Sequence, residues 1–405
     1  MTNIVIIGGS FGGLTTAYEL RRKLSPHQAT ITLIAKDKEF IFVPSLPWVA
    51  MGSRKLSQIS FDLAKPLNQK QVRFVHETLV QIDHEKKKVT TDKSEYQYDF
   101  LIIATGHRSA NEAVEGLGPF GGPGHSLMSA PETEELGTAL KNLLQDPGPV
   151  VIGCAPGASC IGPAYEFLFE LDHLLRRNDI RHRVPITFVT PEPFVGHMGM
   201  GGAGTIRQLL ENCLDERDIT YMVSKEITKI TKDTVELKEA ISIPSVLSMI
   251  IPPLGGISAI ASSPGLSNPK GFIPVDDYYR SLVADNVYCV GVAVAMPPVS
   301  ETPVPVNFPK TGHMTEQMAV IATSDIISKV KGGRNREENT MLAARCVLDM
   351  GDKGVYMSVS PVRPPRNKIP NISEGRRWLV AKKAFERLYL FNARRGRRVP
   401  TTLGW

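Results

Sequence analysis

Continuous apolar runs of four to six residues, each ending in glycine or a turn, punctuate this chain. They read Asn3-Ile-Val-Ile-Ile7, Thr30-Ile-Thr-Leu-Ile-Ala35, Phe100-Leu-Ile-Ile103, Pro149-Val-Val-Ile152 and Val287-Tyr-Cys-Val290. Runs without alternation predict strands buried on both faces, as in a parallel sheet. Between them lie helical patterns: Leu14 to Leu24, Thr205 to Ile219 and Arg376 to Phe391. Strands alternating with helices predict an α/β fold.

The first run opens a specific unit. Gly8-Gly9-Ser10-Phe11-Gly12-Gly13 joins the strand to the helix that follows. A tight glycine turn lets backbone approach a pyrophosphate, and the helix N-terminus supplies N–H groups and a positive dipole end. Two positions depart from the usual pattern: Ser10 replaces the middle glycine, and Ala35 stands where an acidic residue usually holds a ribose. A second strand-turn unit begins at Pro149 and continues Gly153-Cys154-Ala155-Pro156-Gly157-Ala158-Ser159-Cys160. Pro156 and the missing glycine obstruct a nucleotide there, so no NAD is expected. Cys160 falls where a helix should begin, which predicts a thiol of lowered pKa. Cys213 and Cys289 sit on a helix and in a strand and are expected to pack. Cys154 is either a turn cysteine or an auxiliary thiol.

Length and composition set the frame. At 405 residues, with 42% apolar and 22% charged positions, the chain predicts two or three globular domains. The longest apolar run is too short to span a membrane. Met1 to Gly13 enters structure without a basic n-region, so no leader is expected. Five cysteines fit free thiols better than a disulfide scaffold. No metal-ligand spacing stands out. The net charge is +6, yet residues 376–398 alone carry nine Lys/Arg against Glu386. Trp378, Ala381, Phe385, Leu388 and Leu390 or Phe391 recur there at helical spacing. A basic helix with aromatics predicts attachment to a membrane surface. Nucleic acid is not expected as a partner, because no recognition motif accompanies the charge.

Several blocks resemble the sulfide:quinone oxidoreductases. They are Gly157-Ala-Ser-Cys160-Ile-Gly-Pro-Ala-Tyr-Glu166, Phe42-Val-Pro44-Ser45 with Pro47-Trp48, Glu192-Pro193 with Gly196-His197 and Gly199, Pro309-Lys310-Thr311-Gly312, and Ala344-Arg-Cys346 with Asp349-Met-Gly-Asp352. Tyr98 to Gly106 and Asn286 to Ala293 resemble the two ends of a flavoprotein FAD domain. The likeness runs from residue 4 to about 395. It implies two interleaved Rossmann-like domains: an FAD domain from 1–110 and 271–330, a second unit at 111–270, and a C-terminal region 331–405.

It implies FAD held by Gly8, Ser10, Gly12, Gly13, Ala35, Pro44, Leu79, Thr105, Gly106, Gly291 and Lys310. It implies Cys160 and Cys346 as the redox pair, and a quinone pocket at Gly312, Lys382 and Phe385. Sulfide would be oxidised to polysulfide or sulfur, and the electrons would pass through FAD to a membrane quinone. Peripheral attachment, by default at the cytoplasmic face, and a homo-oligomer are further expectations. Met128 and Glu132 depart from the family, where a third cysteine and a histidine are usual, so FAD is expected to be held non-covalently. Two other readings remain open: a type II NADH:quinone dehydrogenase-like flavoprotein, and a flavin-binding protein of reduced turnover.

Overall fold

The computed structural model describes residues 1–118, 122–333, 341–366 and 368–400. The chain opens with β1 (Thr2–Ile7), α1 (Phe11–Lys23) and β2 (Ala29–Ala35), then a short α2 (Leu46–Ala50), β3 (Arg73–His76) and β4 (Phe100–Ile103). Next come β5 (Gly124–His125), α3 (Ala130–Gln145), β6 (Val150–Cys154), α4 (Gly162–Arg177), β7 (Ile186–Val189), α5 (Ile206–Glu216), β8 (Ile219–Met222) and β9 (Leu247–Ile251). The last part holds β10 (Arg280–Ser281), β11 (Ala284–Cys289), α6 (Gly312–Val330), β12 (Ala344–Asp349), β13 (Gly354–Val359), β14 (Asn371–Gly375) and α7 (Arg376–Ala393).

Three sheets organise these elements. The first runs β10-β11-β4-β1-β2-β3 and is parallel except for the β10–β11 pair. Its register pairs Ile4 with Phe100 and Val287 with Leu101. The second, β5-β9-β6-β7-β8, is parallel throughout. The apolar runs read from the sequence form β1, β2, β4, β6 and β11, and Ile4 to Ile7, Val150 to Ile152 and Leu101 to Ile103 are all buried. The third, β12-β13-β14, is antiparallel.

Helix α7 packs on β12 and β13. Its buried face is Lys382, Phe385, Glu386, Tyr389, Leu390 and Ala393. This corrects the helical stripe expected from the sequence. Phe385 and Leu390 point into the protein, where Tyr389 meets Phe11, Phe40 and Phe42 at centroid distances of 5.2, 5.8 and 5.0 Å. The exposed apolar side chains are Val380, Leu388 and Phe391, at 69, 42 and 52% exposure. Among the described residues no helix is long and apolar enough to cross a membrane.

Candidate active site

The glycine turn packs too closely for side chains. Gly8 has φ +112°, and a Cβ there would fall 2.2 Å from the Ala104 carbonyl oxygen. A Cβ on Gly13 would fall 1.8 Å from the Gly8 oxygen. The start of α1 is thereby pressed against the end of β4. Ser10 caps the helix without a side-chain hydrogen bond, and no acid lies in the first turn. The N–H groups and positive dipole end therefore stay available to an anionic ligand.

Beside this turn lies a cavity of about 440 Å³. Ser10, Gly12, Pro44, Thr105, Gly106, Gly291, Lys310, Gly312, Lys382, Phe385, Cys160 and Cys346 all line it. Gly8, Gly13, Ala35 and Leu79 do not. Gly8 and Gly13 form the floor of the turn, and Ala35 ends β2 behind Gly9, 3.2 Å from where a Cβ on that glycine would stand. Leu79 begins a separate hairpin strand, Leu79–Asp83.

The lining fits a dinucleotide. Thr105 Oγ1 is buried with no hydrogen-bond partner among the described residues, so a polar ligand atom would satisfy it. Lys310 Nζ donates to the carbonyls of Val292 and Val294 at 2.7 and 2.8 Å and lies 4.3 Å from the Phe272 ring centroid. Burial lowers its pKa to about 8. His107 also lines the cavity, and burial with the Lys310 charge holds its pKa near 4, so the ring is neutral.

The two cysteines reach this cavity from different elements, one ahead of α4 and one from β12. Both are free thiols. The expectation of a low-pKa Cys160 does not hold: burial raises its thiol to about 11. Ile161 is the N-cap of α4, so Cys160 precedes the helix, and among the described residues no cation offsets its burial. Cys346 is raised to about 12 by burial, with Lys382 opposing and the Glu166 and Cys160 charges adding. Met128, Met198, Met200 and Met357 join the thiols in the lining. Cys154 is fully buried at the end of β6 and is absent from the lining.

Charge gathers at the α7 end. Lys382 Nζ donates to Glu166 Oε1 and lies 5.0 Å from the Trp48 ring centroid. Burial raises Glu166 to about 7 despite that ammonium, and the neighbouring Asp349 adds to the shift. Glu386 accepts from Ser45 Oγ at 2.5 Å and from Arg54 Nε at 3.0 Å. Phe385 stands 6.4 Å from Phe42, and the α6 N-terminus at Gly312 abuts Phe11. No local sequence signal assigns a role to Glu386, Trp48, His107, Met198, Met200 or Met357, and Glu166 is legible as part of a family block. One further signal was present: Glu166 and Glu170 sit four apart in an aromatic-rich helix, where acids are costly to bury.

The second glycine turn is already filled by protein. Gly157 N donates to the Pro305 carbonyl at 2.6 Å, and Asn307 Nδ2 donates to the Gly157 carbonyl at 2.6 Å. A Cβ on Gly153 would meet the Val189 oxygen at 2.1 Å.

Comparison with known proteins places this arrangement. The family model for pyridine nucleotide-disulphide oxidoreductases matches residues 2–320. The sulfide-quinone reductase of Aquifex aeolicus is 35% identical over 412 residues, covering 98% of this chain and 93% of its own length. The X-ray structure of the sulfide:quinone oxidoreductase from Aquifex aeolicus superposes with a TM-score of 0.94, covering 99% of this chain and 94% of that one. The mitochondrial sulfide:quinone oxidoreductase of Dictyostelium discoideum is 27% identical over 73% of this chain and 66% of its own length. The chain belongs to the sulfide-quinone reductase family, within the pyridine nucleotide-disulphide oxidoreductases.

Proposed function

We propose that this protein is an FAD-dependent sulfide:quinone oxidoreductase. The observation that carries the reading is one cavity lined by the glycine turn, by both thiols and by Lys382 and Phe385. Hydrosulfide enters at Cys160 and Cys346, where its sulfur is oxidised and joins others as polysulfide or sulfur. When bound, FAD would supply the two-electron redox chemistry that links sulfide sulfur to a quinone. Ser10, Gly12, Pro44, Thr105, Gly106, Gly291 and Lys310 would hold the cofactor, with Gly8, Gly13, Ala35 and Leu79 shaping the backbone around it. Lys310, which lines the same cavity, would offer a cation to negative charge developing on a reduced flavin. Gly312, Lys382 and Phe385 receive the quinone.

The domain reading follows the sheets. Residues 1–110 and 271–330 make the FAD domain, supported by the pairing of β11 with β4. Residues 111–270 make a second unit that holds no NAD, supported by the protein contacts that fill its turn. Residues 331–405 carry Cys346 and the membrane-facing helix. Arg376, Arg377, Lys383 and Arg387 lie exposed on α7 with Val380, Leu388 and Phe391, and Arg394 and Arg395 lie exposed just past its end. That surface suits the headgroup region of an anionic bilayer, at the cytoplasmic face. Self-association into a homo-oligomer completes the reading.

The test is anaerobic bleaching of the flavin by sulfide and by NADH, each followed by a quinone. Sulfide should bleach it and the quinone should restore the colour. Rapid bleaching by NADH at micromolar concentration would overturn the assignment in favour of a type II NADH:quinone dehydrogenase.

A further inference from the structure

Behind the cavity wall, one turn along α4 from Glu166, lies a second acid the reaction above does not use. Glu170 is 6% exposed. Neither of its carboxyl oxygens has a hydrogen-bond partner among the described residues. The Trp48 Nε1–H, which also faces Glu170, is committed to Asp349 Oδ2 at 2.9 Å. The groups that face Glu170 are Glu166 on its own helix, Asp349 at the end of β12, Lys382 on α7 and Trp48 on α2. Beyond them sits the Arg54–Glu386 pair, which is internally neutral. Three carboxyls thus share one ammonium. Fully ionised they would bury two uncompensated negative charges, which a dry interior does not tolerate.

We propose that Glu170 is the proton store for the quinone end of the cavity, passing its proton through Glu166 and Lys382 to the quinone as it is reduced. This rests on the function proposed above. Burial, with the Glu166 and Asp349 charges adding, pushes the Glu170 carboxyl well above the ordinary range, which favours its protonated form. Glu166 and Lys382 line the cavity and Glu170 does not, which sets the order of the relay.

Quinone reduction takes two electrons, supplied by the flavin cofactor, and two protons. One proton leaves the Lys382 ammonium for a quinone oxygen. Lys382 regains it from Glu166, and Glu166 from Glu170. The second proton comes from bulk water, which also refills Glu170. Glu170 acts through its neighbours and is a positioning residue for the proton.

The test uses the full holoprotein and two readouts. In the infrared spectrum at pH 7, Glu170→Gln should remove a protonated-carboxyl band without changing bound FAD. In stopped flow, the flavin is reduced with dithionite and reoxidised either by a short-chain benzoquinone or by ferricyanide, which takes electrons without protons. Glu170→Gln should slow benzoquinone at pH 8 by about tenfold, below the loss of a direct acid. At pH 6, where bulk protons substitute, the rate should approach that of the native protein. The ferricyanide rate should not change, and Glu170→Asp should restore part of the loss. An unchanged band, or native benzoquinone rates at pH 8, would overturn the proposal. If ferricyanide but not benzoquinone reoxidises the native protein, the functional reading fails and the relay with it, while the band still decides whether Glu170 holds a proton.

Discussion

Replacing Lys382 with Met removes the ammonium that faces Glu166, Glu170 and Asp349. Methionine keeps the unbranched stem beside Trp48, so the loss is mainly of charge. Glu166 has its pKa raised from 4.5 to about 7 even with Lys382 present. A carboxyl whose folded pKa is raised favours the folded state at low pH, and that contribution fades as pH rises through the folded value. Without Lys382 the shift grows and the fading extends to higher pH. At pH 5 the two glutamates are protonated, so Lys382→Met should cost little. At pH 8 the fold must hold either uncompensated carboxylates or extra protons, and removing one member of a buried pair costs about 3–5 kcal/mol.

An unfolding entropy of about 2.1 cal/mol/K per residue over 405 residues makes that a fall of about 4–6 °C in Tm. The assay is calorimetry of the holoprotein at pH 5 and pH 8 with FAD in fixed excess, because bound cofactor itself raises Tm. The control is Lys225→Met, which removes one partner of a surface pair with Glu239 at 3.3 Å; it should cost at most about 1 kcal/mol at either pH. An equal Tm loss at both pH values would refute the electrostatic account and leave only packing. No loss at pH 8 would show that Lys382 does not compensate the buried acids.

Three further outcomes are expected. Cys160→Ser and Cys346→Ser should each retain FAD and lose sulfide-dependent quinone reduction by orders of magnitude, while Cys213→Ser, buried at 2% exposure in α5, should keep nearly all of it; steady-state rates with flavin content measured in parallel decide this. Alkylation of Cys160 by iodoacetamide should rise about tenfold per pH unit between 7 and 9, because its thiol sits near 11; a rate that levels off near pH 7 would mean the thiolate is stabilised after all. Leu388→Glu with Phe391→Glu should release the protein from anionic vesicles in a flotation assay at moderate salt, since both side chains are exposed on α7; unchanged flotation would place the membrane face elsewhere.

The glycine turn after the first strand, the apolar runs and their spacing carry the α/β architecture in short stretches of chain, so they are legible residue by residue. Each depends on local rules: a turn too tight for a Cβ, strands apolar on both faces, a helix beginning where the turn ends. The family blocks around Cys160, Lys310 and Cys346 are legible for the same reason, being short and contiguous. Other properties are set by neighbours remote in sequence. The Cys160 position suggested a stabilised thiolate, but the packing around it removes water without adding a cation, and burial prevails. The tail's helical period was visible, yet which stripe faces inward depended on an aromatic pocket made by Phe11, Phe40 and Phe42.

By itself, then, the sequence determined the elements, the nucleotide turn and the family, because those follow from backbone sterics and local periodicity. Tertiary structure alone decided that Cys160 and Cys346, 186 positions apart, line one cavity. It alone paired Lys382 with Glu166 across 216 residues. It also left Glu170 buried without a hydrogen-bond partner among the described residues. Desolvation and Coulomb energy depend on which groups surround an atom, and those surroundings exist only once the chain has closed around it.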